Sequence, residues 1–355
     1  MSRVMPNPIV TVVISNQNGV QWLPRCLESV RRQTIAERIE IVFVDNVSTD
    51  DSVPLARKLL DGFPQATIIE NKEDLGFTGG MNKGAFAAKG DSVFLLSNDT
   101  WLEEDCLEQL VRVVTEHNAD AAMPLVMDYA DNTIQTLGAD GLDLFGLPSI
   151  TWPPEAKVRG ETTEILMAAG CGYWARTDFF KKVEGFDEGH FMFAEEADLS
   201  WRIWIAGGKL IRVPAARMHH RGAAGVNPAG ETKIIESRTS ETKRYLANRN
   251  NLLMILKNSQ HILLLLILTN VLLLFLEALV NLVLVRRWSY VRKSYLAAIA
   301  DAFGMLGHVR EWRRRIKGLR KRSDFAMLRN LRLRPGRWED VKQLFKFGMP
   351  KVDAK

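Results

Sequence analysis

Short β-branched apolar runs and stretches of helical spacing alternate through the first 130 residues. Ile9–Ser15, Ile39–Val44, Ala66–Ile69, Ser92–Leu96 and Ala119–Pro124 have few polar interruptions, the pattern of strands covered on both faces. Between them, Leu23, Leu27 and Val30 fall on one helical face. Asp50–Leu60 reads as a helix with Ser48 or Asp50 as its N-cap, Gly79–Ala88 as a helix entered through glycines, and Glu103–Glu116 as another. Such alternation with short connections predicts an α/β fold, a mostly parallel twisted sheet flanked by helices. Farther on, Leu210–Val213 reads as a strand and Tyr245–Lys257 as a helix.

Parallel sheets of this kind bind ligands beyond the carboxyl ends of their strands, and the polar residues gather there. Asn16 follows the first strand, Asp45–Asn46 the second, Asn71 the third and Asn98–Asp99 the fourth, written VFLLSND over Val93–Asp99. Each tip also has a plainer explanation as turn chemistry. A carboxylate at Asp45 is placed to accept from the imide N–H of a uracil or thymine ring. The stretch Asn71–Gly84 carries Gly76, Gly79 and Gly80. It matches neither a Walker loop nor a dinucleotide fingerprint, but a glycine-lined helix start suits an anion such as a diphosphate.

These segments together carry a resemblance. ISNQNG (14–19), VDNVSTDDS (44–52), NKEDLGFTGGMNKGA (71–85) and LLSNDT (95–100) are similar to the ordered motifs of family-2 glycosyltransferases with the GT-A nucleotide-diphospho-sugar transferase fold. AAGCGYWARTDFFKKVEGFDEGHFMFAEEADLSWRIWIAGGKL (168–210) is similar to that family's acceptor-side region. The resemblance covers roughly residues 9–257 and is nearest to the rhamnosyltransferase-like branch that builds bacterial surface polysaccharides. It implies donor-binding roles for Asn16, Asp45, Asn71, Gly76, Gly79, Asn98 and Arg202. It implies that Asp99 ligates Mg²⁺ or Mn²⁺ in a DxD-type motif whose first acid is here Asn98, and that His219 joins the metal or the leaving diphosphate. Glu196 stands where the family places its general base; the pair reads Glu195–Glu196 in place of Glu-Asp, so both carboxylates are candidates. Asp198 and Arg202, four residues apart on one helix face, either pair with each other or leave Arg202 to a phosphate. Arg249–Asn250 resembles a recurring Arg-Asn of the same family. The activity implied is a single inverting displacement, with the carboxylate taking the proton of the attacking acceptor hydroxyl and the metal neutralising the departing nucleoside diphosphate.

Charge and hydropathy divide the rest of the chain. Between Arg286 and Arg337 there are 16 Lys/Arg and 3 Asp/Glu, a local +13 in a chain of net +5, so the remainder carries −8. Ile262–Val285 is 24 residues long with only Thr269, Asn270, Glu277 and Asn281 polar, enough to cross a bilayer core of about 30 Å. A single span would place the basic tail opposite a cytosolic catalytic domain, against the positive-inside rule, and would put polar side chains in lipid. The expectation is therefore a helix pair, re-entrant or lying in the interface, with Ser289–Gly307 as its second element and Arg310–Arg322 on anionic lipid; a transmembrane course for 262–285 remains the alternative. The domain plan is 1–257 catalytic (about 9–130 for the nucleotide sugar, 131–257 for the acceptor), 258–322 membrane-associating, and 323–355 a basic tail in which Trp338–Phe347 has weak helical periodicity.

Other classes fit less well. A sugar nucleotidyltransferase would need a Gly-rich Arg/Lys loop after strand one, where this chain has Asn16–Gly19. A nucleic-acid binder would use the basic tail, but that tail adjoins an apolar segment and lacks a stacking platform. A catalytically degenerate homologue is the remaining alternative. Three scattered cysteines, Cys26, Cys106 and Cys171, offer no disulfide framework and no zinc knuckle, and Met1–Pro8 lacks signal-peptide character. The expected partners are a nucleoside-diphosphate sugar, dTDP-rhamnose favoured, a lipid-linked or polysaccharide acceptor, and an anionic membrane surface at the cytoplasmic face of the inner membrane.

Overall fold

The computed structural model describes residues 9–149, 160–222, 239–333 and 352–353. Ala224, Met1–Pro8 and Trp338–Phe347 lie outside the described residues. The chain forms two compact units, one of residues 1–138, 152–191 and 208–221, the other of 139–151, 192–207 and 222–355.

The first unit is built on one sheet. Its parallel strands are β1 (Val10–Asn16), β2 (Ile39–Asp45), β3 (Ala66–Glu70) and β4 (Ser92–Ser97), ordered β3-β2-β1-β4. The helices between them are α1 (Leu23–Arg31), α2 (Ser52–Leu60) and α3 (Gly76–Ala87). All seven residues of β2 are buried, so it does not alternate between apolar and polar faces; its one interior charge, Glu40, accepts from Thr11 Oγ1 at 2.6 Å. After β4 the chain turns through Asn98–Asp99 into β5 (Thr100–Leu102), α4 (Cys106–Glu116), β6 (Ala121–Asp128) and β7 (Ile134–Thr136).

Beyond β4 the sheet becomes mixed. A later strand, Gly172–Arg176, inserts antiparallel between β4 and β6, and Leu210–His220 runs parallel to β6 on its other side. Sequence pattern did not mark 172–176, because Tyr173–Trp174 reads equally as helix or strand over so short a run. The strand expected at Leu210–Val213 continues to His220 through an irregularity between Val213 and Arg217. Pro214 sits in that irregular stretch, where a ladder N–H is not required. At the start of α2, Asp51 is the N-cap residue and no side chain caps it; Asp50 instead accepts from Ser52 N at 3.0 Å and Val20 N at 3.1 Å.

The second unit draws on three stretches of chain, a division that differs from a boundary at 257. It contains a small sheet in which Gly141–Asp143 pairs with Pro148–Ser149 and with Leu331–Arg332. It also contains the helices Glu195–Ile205, Glu241–Asn258, Leu266–Leu284, Ala298–Gly304 and Leu306–Leu319. Glu195–Ile205 is buried at ten of its eleven positions. Ile262–Leu284 is long and apolar enough to cross a membrane, with mean hydropathy 2.7. One stripe of it, Leu266, Ile267, Asn270, Leu274 and Ala278, is buried. Leu268, Leu272, Phe275, Leu276, Leu279, Val280 and Val283 are each at least half exposed. Its polar residues bond to protein: Thr269 Oγ1 to Leu144 O at 2.6 Å, Asn270 Nδ2 to Phe145 O at 2.7 Å, and Asn281 Nδ2 to Tyr295 Oη at 3.1 Å.

The basic segment Arg310–Arg322 departs from expectation. Val309, Trp312 and Ile316 are buried at helical spacing. Arg313 donates to Leu256 O and Ser259 O, Arg320 to Asn258 O, and Arg322 to Trp204 O and Gly207 O. These carbonyls close the C-terminal ends of Glu241–Asn258 and Glu195–Ile205, where a cation complements both the orphan acceptors and the dipole. Arg310, Arg314, Lys317 and Lys321 stay exposed.

Candidate active site

The strand tips of the first unit join in a polar network. Asn98 Nδ2 donates to Asn16 Oδ1 at 2.7 Å, and Asn16 Nδ2 donates to Asp45 Oδ1 at 3.2 Å. Asp45 also accepts from the backbone N–H and hydroxyl of Ser48, at 2.8 and 2.5 Å. One tip over, Asn71 Nδ2 donates to Asn46 Oδ1 at 2.7 Å while Lys83 Nζ donates to Asn71 Oδ1 at 2.6 Å. Asn16, Asp45, Asn46, Asn71 and Asp99 are all buried. The four strand tips named from the sequence are thus brought together, with Ser48 and Lys83 as members that sequence reasoning had not placed there.

Gly76 and Gly79 serve another purpose than an anion cradle. Gly76 has φ +64°, and a Cβ on it would lie 2.5 Å from Phe191 O. A Cβ on Gly79 would lie 2.7 Å from Leu75 Cβ. The amides at this helix start are already bonded, Gly76 N to Asp74 Oδ1 at 2.9 Å and Thr78 N to Phe191 O at 3.2 Å. Close chain approach explains these glycines, and their assignment to donor binding is corrected on that ground.

The histidine assignment also changes. β5 pairs antiparallel with the end of Leu210–His220, setting His219 opposite Trp101 and His220 opposite Thr100. Adjacent strand residues face opposite sides. His220 Nε2 accordingly lies 3.5 Å from Asp99 Oδ1, and its Nδ1 is 2.7 Å from Gln135 Oε1. His219 stacks on Trp101 at 3.7 Å, with Nδ1 2.9 Å from Asp128 O and Nε2 3.5 Å from Glu103 Oε1. The imidazole beside Asp99 is therefore that of His220, whereas His219, expected there from the sequence, packs on Trp101. The sequence held the signal: extending the strand through the whole of 210–220 gives the alternation. Burial opposes a charge on His220, but Cys171 and Asp99 outweigh it and push the imidazole up to about 9. On the His219 side, Arg25 lies over the rings of Trp101 and Tyr129 at 4.3 and 4.6 Å. An open cavity of about 450 Å³ on this side is lined by Arg25, Arg32, Trp101 and Glu103 among others.

In the second unit, Glu195 and Glu196 open the helix Glu195–Ile205. Glu195 is buried and Glu196 half-buried. Burial, and then the neighbouring Glu196, hold the Glu195 carboxyl well above the usual range; burial also raises Glu196. Asp198 and Arg202 take the ion-pair alternative. Asp198 Oδ2 accepts from Arg202 Nε at 2.9 Å, Oδ1 lies 3.0 Å from Lys257 Nζ, and Asn258 Nδ2 donates to Oδ1 at 2.9 Å. Neither side chain of the Asp198–Arg202 pair has any exposure, so the donor-binding role for Arg202 is corrected to a buried structural one.

Residues 11–183 match the family described as Glycosyl transferase family 2. The chain is 30% identical over 139 residues to the putative glycosyltransferase EpsH of Bacillus subtilis, a stretch covering 38% of this chain and 39% of that protein. It is 32% identical over 114 residues to a PGL/p-HBAD biosynthesis glycosyltransferase of Mycobacterium bovis, covering 32% and 44%. The matches thus span about two-fifths of these relatives' length. In fold, the chain is similar to S. aureus TarS solved with UDP-GlcNAc, at TM-score 0.57 and 13% identity over 96% of this chain and 92% of that one. It is also similar to GalNAc-T7 solved with UDP, GalNAc and Mn²⁺, at TM-score 0.56 and 20% identity over 70% and 48%. The mixed sheet and flanking helices are those of the GT-A fold, and residues 11–183, just under half of the chain, are a glycosyl transferase family 2 domain.

Proposed function

We propose that this protein is an inverting glycosyltransferase that moves a sugar from a nucleoside diphosphate, dTDP-rhamnose favoured, to a lipid-linked or polysaccharide acceptor at the cytoplasmic face of the membrane. The observation that carries the reading is the Asp99–His220 pair at the end of β4, beside the buried tip network. Asp99 offers a carboxylate oxygen and His220, on giving up its Nε2 proton to the incoming ion, an imidazole nitrogen; this is a partial ligand set that suits Mn²⁺ or Mg²⁺, with positions left for diphosphate oxygens and water. When bound there, such an ion supplies charge for the leaving diphosphate. Asp45 and Asn16 orient the nucleoside, and Asn98 holds the tip in register through Asn16. Glu196, or Glu195 beside it, accepts the proton of the acceptor hydroxyl as that oxygen attacks C1. A raised pKa suits that task, since a base titrating nearer neutral pH takes a proton more effectively while still ionised. The exposed apolar face of Leu266–Leu284 lies in the membrane interface, with Arg286, Trp288, Arg292 and Lys293 at headgroup level.

A donor screen tests the assignment. Protein in detergent with Mn²⁺ is titrated with dTDP-rhamnose, UDP-sugars and GDP-mannose, following thermal stabilisation and slow donor hydrolysis. One donor is expected to dominate and to lose its effect in chelator. Silence toward every nucleotide sugar would move the assignment to a non-catalytic homologue.

A further inference from the structure

The turn into Glu195–Ile205 has an uncommon backbone. Phe193 and Ala194 have φ of 71° and 62°, and Ala194 is an N-cap without a side-chain bond to the helix. In the left-handed region Cβ crowds the following carbonyl, so non-glycine residues persist there only where their surroundings over-determine them. Asn250, on Glu241–Asn258 and with no exposure, does this here. Its Nδ2 donates to Met192 O at 2.8 Å and to Phe193 O at 2.7 Å. Its Oδ1 accepts from Arg249 Nε and Nη2 at 2.9 and 2.8 Å. The guanidinium can only donate and the two carbonyls can only accept, so the amide stands one way round. The glutamate pair starts at the next residue after Ala194.

We propose that Asn250, oriented by Arg249, is a positioning residue for the general base: it holds the Phe193–Ala194 turn left-handed and so sets the direction in which Glu195 and Glu196 leave the backbone. The proposal rests on the reading of one of these glutamates as the base. Simple helix capping does not need this chemistry, because a cap at a helix start supplies acceptors for N–H groups, whereas Asn250 supplies donors to carbonyls before the helix. Asparagine is specific in the role. Aspartate has the same shape but would set a carboxylate against two carbonyl oxygens, converting two hydrogen bonds into two repulsive contacts.

The test uses the full chain in detergent and the donor selected by the screen above. Asn250→Asp is expected to lose hydrogen-exchange protection over residues 192–197. It should lower kcat about a hundredfold, the scale of a base displaced by roughly 1 Å, with donor KM unchanged within about twofold. The acid limb of its rate profile should move down toward an ordinary glutamate, because the freed carboxyls relax into water. Arg249→Met leaves the donor amide in place but unoriented. It is the milder second variant should Asn250→Asp fail to fold, and its kcat should fall about tenfold in the same pattern. Unchanged exchange over 192–197 overturns the clamp. A joint fall of kcat, donor affinity and melting temperature, with the acid limb unmoved, overturns positioning in favour of plain structural support. Should Glu195→Gln and Glu196→Gln both keep full turnover while Asn250→Asp still frees the turn, it is the base assignment that fails and not the clamp.

Discussion

Asp198 offers the sharpest stability test. Its carboxylate lies between Arg202 Nε at 2.9 Å and Lys257 Nζ at 3.0 Å, and none of the three side chains is exposed. At an effective dielectric of about 20, two unit charges 3 Å apart attract by ~5.5 kcal/mol. Much of that attraction offsets the cost of taking the charges out of water. Asp198→Ala removes the carboxylate that Arg202 and Lys257 share in the interior, for which a loss of about 3–5 kcal/mol is expected. Trp312, whose ring lies 4.8 Å from the Arg202 guanidinium and 4.9 Å from Lys257 Nζ, recovers only part, on the order of 1 kcal/mol. The assay is urea unfolding in detergent, read by tryptophan fluorescence for wild type, Asp198→Ala, Lys257→Met and the double variant. Asp198→Ala/Lys257→Met should recover a large share of the loss, because one anion and one cation leave together. A single-variant loss below about 1 kcal/mol, or a double variant no more stable than Asp198→Ala, would refute the account.

Four further outcomes are expected. Glu196→Gln should remove most of the rate with donor affinity nearly unchanged; if Glu195→Gln does so instead, the base is the neighbouring residue. Since the base must be ionised and its pKa is raised in the folded protein, the rate should fall as pH drops through a value above that of an exposed glutamate, and a profile flat down to that ordinary value would contradict the assignment. Asp99→Ala should abolish the Mn²⁺-dependent thermal shift given by the selected donor and cut turnover at least about a hundredfold, so turnover surviving in chelator would count against the metal site. Replacing exposed Leu268, Leu272 and Leu279 together by Gln should weaken flotation with anionic vesicles severely, each leucine contributing about 1.5–3 kcal/mol if buried in lipid; equal flotation of both proteins would remove this face from the membrane.

The parallel half of the fold was legible because β1, β2 and β4 are buried on both faces, and continuous apolar runs ending in polar tips have few other readings. The same patterning located Asn16, Asp45, Asn71, Asn98 and Asp99 as a group. What failed depended on contacts distant in sequence. Whether Arg202 meets a phosphate or Asp198 is decided by Lys257 and Trp312, and nothing local to residue 202 encodes them. His219 was favoured by family spacing, whereas strand alternation through His220 sets the facing. The arginines of 310–322 looked like a lipid-binding run; several are taken by carbonyls that only the packed helices present.

The way the second unit is assembled bears on the order of events during synthesis. Its glutamate-bearing helix, 195–205, is packed with residues from 241–258 and 306–319, so Trp312 leaves the ribosome on the order of ten seconds after that helix does. Until then a nascent chain has strands β1–β4 but lacks the packing partners of the helix that carries Glu195 and Glu196. The apolar segment 262–284 emerges within that interval. If the proposed function holds, a chain stalled or truncated before residue 241 should bind the sugar nucleotide at most, and the helix of Glu195 and Glu196 would gain its partners only as the apolar segment 262–284 emerges.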